Sequence, residues 1–183
     1  MMLREGHLGL GLLLFTPVGG VLLLLERWIL FGIGLWPVLV GTVLPDLDLR
    51  LPIVSHRGWT HTVWFILSLV AVGPVVGVGG AIVSNYLIAD ISGTFTPVSG
   101  AIAGTLLGTA LAFGAATHIL GDILTPRGVK LFSPAIPGDI GGIDVSQRTI
   151  GLDLLKADNQ IMNKGLLMSG GVALLAVVSL MIL

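Results

Sequence analysis

The sequence predicts an all-α, multi-pass membrane protein, with residues 1–183 forming one membrane-embedded bundle of about five transmembrane helices. Three observations predict it. Hydrophobic residues make up 54% of the 183 residues and charged residues 10%. Soluble domains carry about 25% charged residues, so this chain could not cover a water-facing surface. Five runs free of formal charge each reach the ~18–20 residues that a helix needs to cross the hydrocarbon core. Glycine, at 27 residues, is abundant, as it is in membrane helices. Together these features exclude a soluble globular enzyme and a disordered or collagen-like chain. A net charge of -1 leaves no basic face for nucleic acid. The absence of cysteine excludes disulfides and thiolate sites, so any metal must be held by nitrogen and oxygen ligands.

The first run, residues 7–25, follows Arg4 much as a signal peptide would. It is longer than a typical h-region and has no small-x-small cleavage site before Glu26, so it reads as a retained helix. Only Glu26 and Arg27 separate it from the second run, residues 28–45. The third begins near Gly58 and stays uncharged until Asp90, although the glycines and prolines of 73–97 blur its end and admit a re-entrant piece. The fourth run spans 98–121 and the fifth 165–183. Between them, residues 124–164 hold most of the remaining polarity and read as a polar cytoplasmic loop, folded or carrying a short interfacial helix near 150–159. Asp139, Asp144, Asp153 and Asp158 in that loop match no motif.

Five helices place Arg4, Arg50, Arg57, Arg127, Lys130, Arg148, Lys156 and Lys164 on one side and Arg27 alone on the other. The positive-inside rule then puts the N-terminus and the basic loops in the cytoplasm and the C-terminus outside. All four histidines (His7, His56, His61 and His118) fall at membrane ends on that same side, as do Asp46, Asp48 and Asp122. The charge count does not require that agreement. It is the strongest inference that spacing provides.

In Leu44-Pro45-Asp46-Leu47-Asp48 the proline disfavours the helix before it. An extended turn there would let both carboxylates point at one cation, and a solvated acidic loop is the plain alternative. Next comes His56-Arg57-Gly58-Trp59-Thr60-His61, whose two histidines can converge if Gly58 lets the chain bend. Imidazole suits zinc, manganese or iron, and a mixed His/Asp set fits a catalytic rather than a structural site. Arg57 carries a planar fork that matches phosphate or carboxylate oxygens, and equally could snorkel to the headgroups. Trp59 reads as an interface anchor. His118 and Asp122, four residues apart, share a helix face, and Gly121 beside them permits close approach. Thr125-Pro126-Arg127-Gly128 then reads as a tight exit turn. His7 opens the first helix beside Gly9 and Gly11; taken alone it is an interfacial polar residue. Taken together, ionisable side chains at membrane depth are costly and point to function, here a metal site. No His-Glu-x-x-His, no Gly-x-Ser-x-Gly elbow and no phosphate loop is present.

The ordered set His7-x-x-x-Gly11, Leu44-Pro45-Asp46-Leu47-Asp48, His56-Arg57-Gly58-Trp59-Thr60-His61 and His118-x-x-x-Asp122-x-x-Thr125-Pro126-x-Gly128 resembles the YdjM-like inner-membrane metal-dependent hydrolases over residues 1–135. The His/Asp order is more distantly similar to zinc-dependent phospholipases C. The resemblance implies a membrane-bound, metal-dependent hydrolase. The substrate expected at a cytoplasmic interface is a lipid or other phosphoester, with membrane lipids as the surroundings. The candidate ligands for one or two divalent ions, zinc first and manganese second, are His7, Asp46, Asp48, His56, His61, His118 and Asp122. Asp46 or Asp48 is the candidate base, and Arg57 would hold the anionic group. A metal or proton transporter using the same cluster is the rival reading, and a non-catalytic scaffold with helix-capping histidines is a third.

Overall fold

The computed structural model describes residues 2–50, 58–87, 95–133 and 148–182. Among the described residues five α-helices carry the fold: α1 (Arg4–Leu24), α2 (Trp28–Gly41), α3 (Val63–Leu87), α4 (Pro97–Ile123) and α5 (Gln160–Ile182). Short 3₁₀ turns at Pro45–Arg50 and Trp59–His61 lie between α2 and α3. With the first 3₁₀ turn added to α2, all five are long and apolar enough to cross a membrane. Two starts come earlier than the charge pattern suggests, because Arg4 and Glu5 fit the first turn of α1 and the polar run Gln160–Lys164 opens α5. No re-entrant break interrupts α3, which runs through Gly73 and Pro74 to Leu87. The described part of 150–159 is not helical; Val129 and Ile150 form an isolated antiparallel bridge there. His56, Arg57, Asp90, Asp139 and Asp144 lie outside the described residues.

Burial runs opposite to that of a soluble protein. Ile29, Val75, Tyr86 and Leu175 are exposed, while His7, Thr42, Asp48, His61, His118, Asp122 and Asn163 are buried. Lipid tails are as apolar as leucine, so helices in a membrane are held by close packing and internal polar contacts rather than by leaving the solvent. Glycine supplies the close packing. α3 and α4 run antiparallel with Gly73 against Gly104 and Gly77 against Gly100, and a Cβ at any of these would strike the facing backbone. α1 packs parallel to α5, with Gly9 against Leu166 and Gly20 against Val177. It is antiparallel to α2, with Gly19 against Phe31 and Gly11 against Thr42. These directions bring the starts of α1, α3 and α5 and the ends of α2 and α4 to one end of the bundle. They also place Arg4 and Ile182 at opposite ends.

The segment after α4 ties that end together. Gly128, at φ 55°, closes the exit turn, where a side chain would strike the Ile150 carbonyl. The Leu152, Leu154 and Leu155 N–H groups donate to the carbonyls of Ile123 and Leu124, satisfying acceptors that a helix C-terminus leaves open. The Val63 N–H donates to Leu131 O at 2.9 Å and so fixes the start of α3 to the same segment.

Candidate metal centre

Six of the seven sequence-derived ligand candidates are described, and all six meet at this end. His118 lies near the end of α4, and its Nδ1 stands 2.7 Å from the Thr42 carbonyl at the end of α2. A carbonyl only accepts, so Nδ1 carries a proton, which leaves Nε2 as the nitrogen that would offer a lone pair to a cation at the centre. The 3₁₀ turn Trp59–His61 delivers His61, whose Nε2 lies 3.3 Å from His118 Nε2. Asp46 Oδ1 is 3.5 Å from His118 Nε2 and 3.7 Å from His61 Nε2. One turn beyond His118, Asp122 places Oδ2 3.6 Å from His61 Nε2 and 4.0 Å from His118 Nε2.

These spacings test the fit to a cation. A tetrahedral ion with bonds of about 2.0–2.2 Å has donor–donor edges of about 3.3–3.6 Å. Of these spacings, 3.3, 3.5 and 3.6 Å fall within that range and 3.7 and 4.0 Å slightly beyond it, with Asp46 and Asp122 in different donor groups. The two imidazole nitrogens of His61 and His118 and the carboxylate oxygen of Asp122 are donor types that zinc and manganese take, with Asp46 Oδ1 beside them. Asp46 Oδ1 is buried without a hydrogen bond among the described residues, a costly arrangement unless a cation or proton answers it. The donor set therefore fits a divalent metal.

Asp46 and Asp48 differ in place. The sequence suggests an extended turn with both carboxylates on one cation. The segment is instead a 3₁₀ helix, in which residues two apart point about 240° apart around the axis. Asp48 Oδ2 reaches the far nitrogen of His61, 3.4 Å from Nδ1, and accepts a hydrogen bond from the Thr60 hydroxyl at 2.7 Å. Thr60 Oγ1 also lies 3.0 Å from His61 Nδ1. Both partners fix the proton on Nδ1 and so aim Nε2 inward. Among the described candidates Asp46 alone is accessible, its side chain 18% exposed against 0–1% for His7, Asp48, His61, His118 and Asp122. It stands at the mouth.

His7 enters from the first turn of α1 and stacks on His118, with ring centroids 3.7 Å apart and planes 12° apart. Its Nε2 is 3.8 Å from Asp122 Oδ1, which also faces the Met2 N–H at 3.5 Å. Gly121 leaves the room: a Cβ there would sit 3.0 Å from both His7 Nδ1 and Met2 Sδ. The donors thus form two overlapping groups, His61–His118–Asp122 and His7–Asp46–His118, each within 4.8 Å. Trp59 is 48% exposed, as an interface anchor would be.

Three supporting residues escape the sequence reading. The Thr42 carbonyl and the Thr60 hydroxyl orient the two central imidazoles. Asn163, fully buried at the start of α5, accepts from the Leu3 N–H and donates to the Ala157 and Asn159 carbonyls, locking α1 beside the centre. Thr60 and Asn163 each left a signal, the first beside His61 in the motif and the second as an amide opening an apolar run.

Fold and site define a polytopic membrane protein with a buried His/Asp centre at one end of its helical bundle. The chain matches the YdjM inner membrane protein family over residues 1–183 and belongs to that family. No curated protein and no solved structure matches it.

Proposed function

We propose that this protein is a membrane-bound, metal-dependent hydrolase acting on a lipid or other phosphoester at the cytoplasmic interface. The carrying observation is the convergence of His61 Nε2, His118 Nε2, Asp46 Oδ1 and Asp122 Oδ2 at one end of a membrane bundle. His61, His118 and Asp122 would hold the ion. Three protein ligands with an open position mark a catalytic rather than a structural site. A divalent cation bound there supplies Lewis acidity and activated water at neutral pH.

The chain's own groups supply the rest. Asp46, at the accessible mouth, takes the proton of the attacking water, and Asp48 is a positioning residue that acts through His61. His7 and the second oxygen of Asp122 offer a place for a second ion. Arg57, carried here from the sequence alone, holds the anionic group. Bilayer depth supports a lipid substrate, because a polar headgroup lies at the level of helix ends. Arg4, Arg127, Lys130, Arg148, Lys156 and Lys164 belong to the same end as the centre, which favours a cytoplasmic face.

A transporter would carry its site near the membrane midplane. Both donor groups found among the described residues sit at one end instead. The test is a screen of purified protein, loaded with zinc or manganese, against phospholipids, lipid phosphates and generic phosphodiesters. Turnover that disappears in Asp46→Asn while metal content persists is the expected result. A blank across the whole panel would remove the phosphoester reading.

A further inference from the structure

A cleft between α1, α2 and α4 lies directly below the centre, with a volume of about 260 Å³. That exceeds the ~150 Å³ apolar cavity known to admit a benzene ring. Thr109 is the one lining residue with a polar side chain; Phe15, Leu22, Gly34, Ala110 and Phe113 form much of the rest. The mouth residues Val18, Ile33, Leu106 and Leu107 are all exposed on the outer, lipid-facing surface of the bundle. The cleft is therefore continuous with the protein's interface to the bilayer.

Its axis runs toward the metal ligands. Val38 and Phe113 line the near end, four residues before Thr42 and five before His118. Leu30 and Leu106 line the far end, twelve residues before the same two. At 1.5 Å per helical residue the cleft extends from about 6 Å to about 18 Å below the centre along α2 and α4, and to about 22 Å along α1, where Leu22 lies fifteen residues beyond His7. A helix from a second copy is about 10 Å wide and does not fit such a volume, and water finds almost no polar partner in it. A hydrocarbon chain fits, and at this depth lipid chains are the surrounding medium.

We propose that the cleft seats one hydrocarbon chain of a membrane lipid whose headgroup lies at the His/Asp centre, which deepens and rests on the hydrolase reading above. The specificity would then be for a lipid lying in the leaflet on the side of the centre, entering sideways between α1, α2 and α4. A chain held from about 6 Å below the donors onward would keep the headgroup at the level of Asp46, the accessible carboxylate.

Photolabelling tests this without requiring turnover. The full-length protein is placed in nanodiscs of phosphatidylethanolamine and phosphatidylglycerol doped with phosphatidylglycerol bearing a mid-chain diazirine. After irradiation, peptide mass spectrometry should find adducts at Leu22, Leu106 and Phe113 several-fold above those at Val75 and Leu175, which face lipid elsewhere. Ala110→Phe, which fills the cleft, should abolish the enrichment and leave bound zinc unchanged. Gly34→Leu is the second variant, since a Cβ there meets nothing closer than Phe15 at 3.8 Å. Even labelling of all lipid-facing residues, enrichment that survives both substitutions, or crosslinks to a second copy through the cleft would each overturn the proposal. Phospholipid turnover is read on the same samples. Labelling without turnover would remove the hydrolase reading and leave the chain site standing, and turnover with even labelling would do the reverse.

Discussion

Replacing Thr60 with valine keeps the outline of the side chain and deletes one hydroxyl. That hydroxyl donates to Asp48 Oδ2 at 2.7 Å and lies 3.0 Å from His61 Nδ1. Its loss removes a hydrogen bond to a buried carboxylate, worth about 1.5–3 kcal/mol, and takes away one of the groups that position His61 Nδ1. The share of that loss felt equally with and without metal appears as lower thermal stability. The share that depends on the aim of Nε2 appears as weaker metal binding. At 1.4 kcal/mol per decade, the full loss would correspond to about ten- to a hundredfold in affinity, the range usual for removing a partner behind a metal-binding imidazole. The assay is a zinc competition titration against a chromophoric chelator with detergent-purified protein. Thr60→Val should weaken zinc about tenfold or more, and Thr60→Ser should restore it. Thr105→Val is the control and should change nothing, because that residue is exposed and its hydroxyl donates within its own helix to Ala101 O. Wild-type affinity in Thr60→Val, alongside lost affinity in His61→Ala, would refute the positioning role.

Three further outcomes are expected. Gly104→Val places a side chain against the Gly73 carbonyl and should destabilise the α3–α4 pair by about 1–3 kcal/mol or more, read as a lower melting temperature in detergent. Reporter fusions after Leu183 and within residues 124–133 should fall on opposite sides of the membrane, the second cytoplasmic, since α1 and α5 run parallel; both on one side would contradict the five-helix topology. Arg57→Lys should keep metal and fold but lower turnover on whichever lipid phosphoester responds by about ten- to a hundredfold, since lysine lacks the bidentate fork.

Much of this arrangement could be read from the sequence. The helices were legible because each falls on an uncharged run of bilayer length, and the common end followed from counting the crossings between them. His118 and Asp122 were legible as a pair because four residues make one helical turn. The division of labour between Asp46 and Asp48 was not, because it depends on a 3₁₀ rather than an extended backbone after Pro45. The packing of α3 on α4 was present as Gly73-x-x-x-Gly77 and Gly100-x-x-x-Gly104-x-x-x-Gly108. A glycine spacing of that kind does not name its partner helix, so the pairing needed three dimensions. Nor could local pattern reveal that Asn163, far along the chain from Leu3, closes the start of α1.

The most direct measurement is the metal content of the purified protein, counted per chain by elemental analysis after incubation with zinc or manganese and removal of free ion. The wild-type chain should retain one or two ions, and His118→Ala and His61→Ala should each lose most of that content while remaining folded in detergent. A wild-type chain without bound metal, or full metal content in both variants, would contradict a His/Asp metal centre.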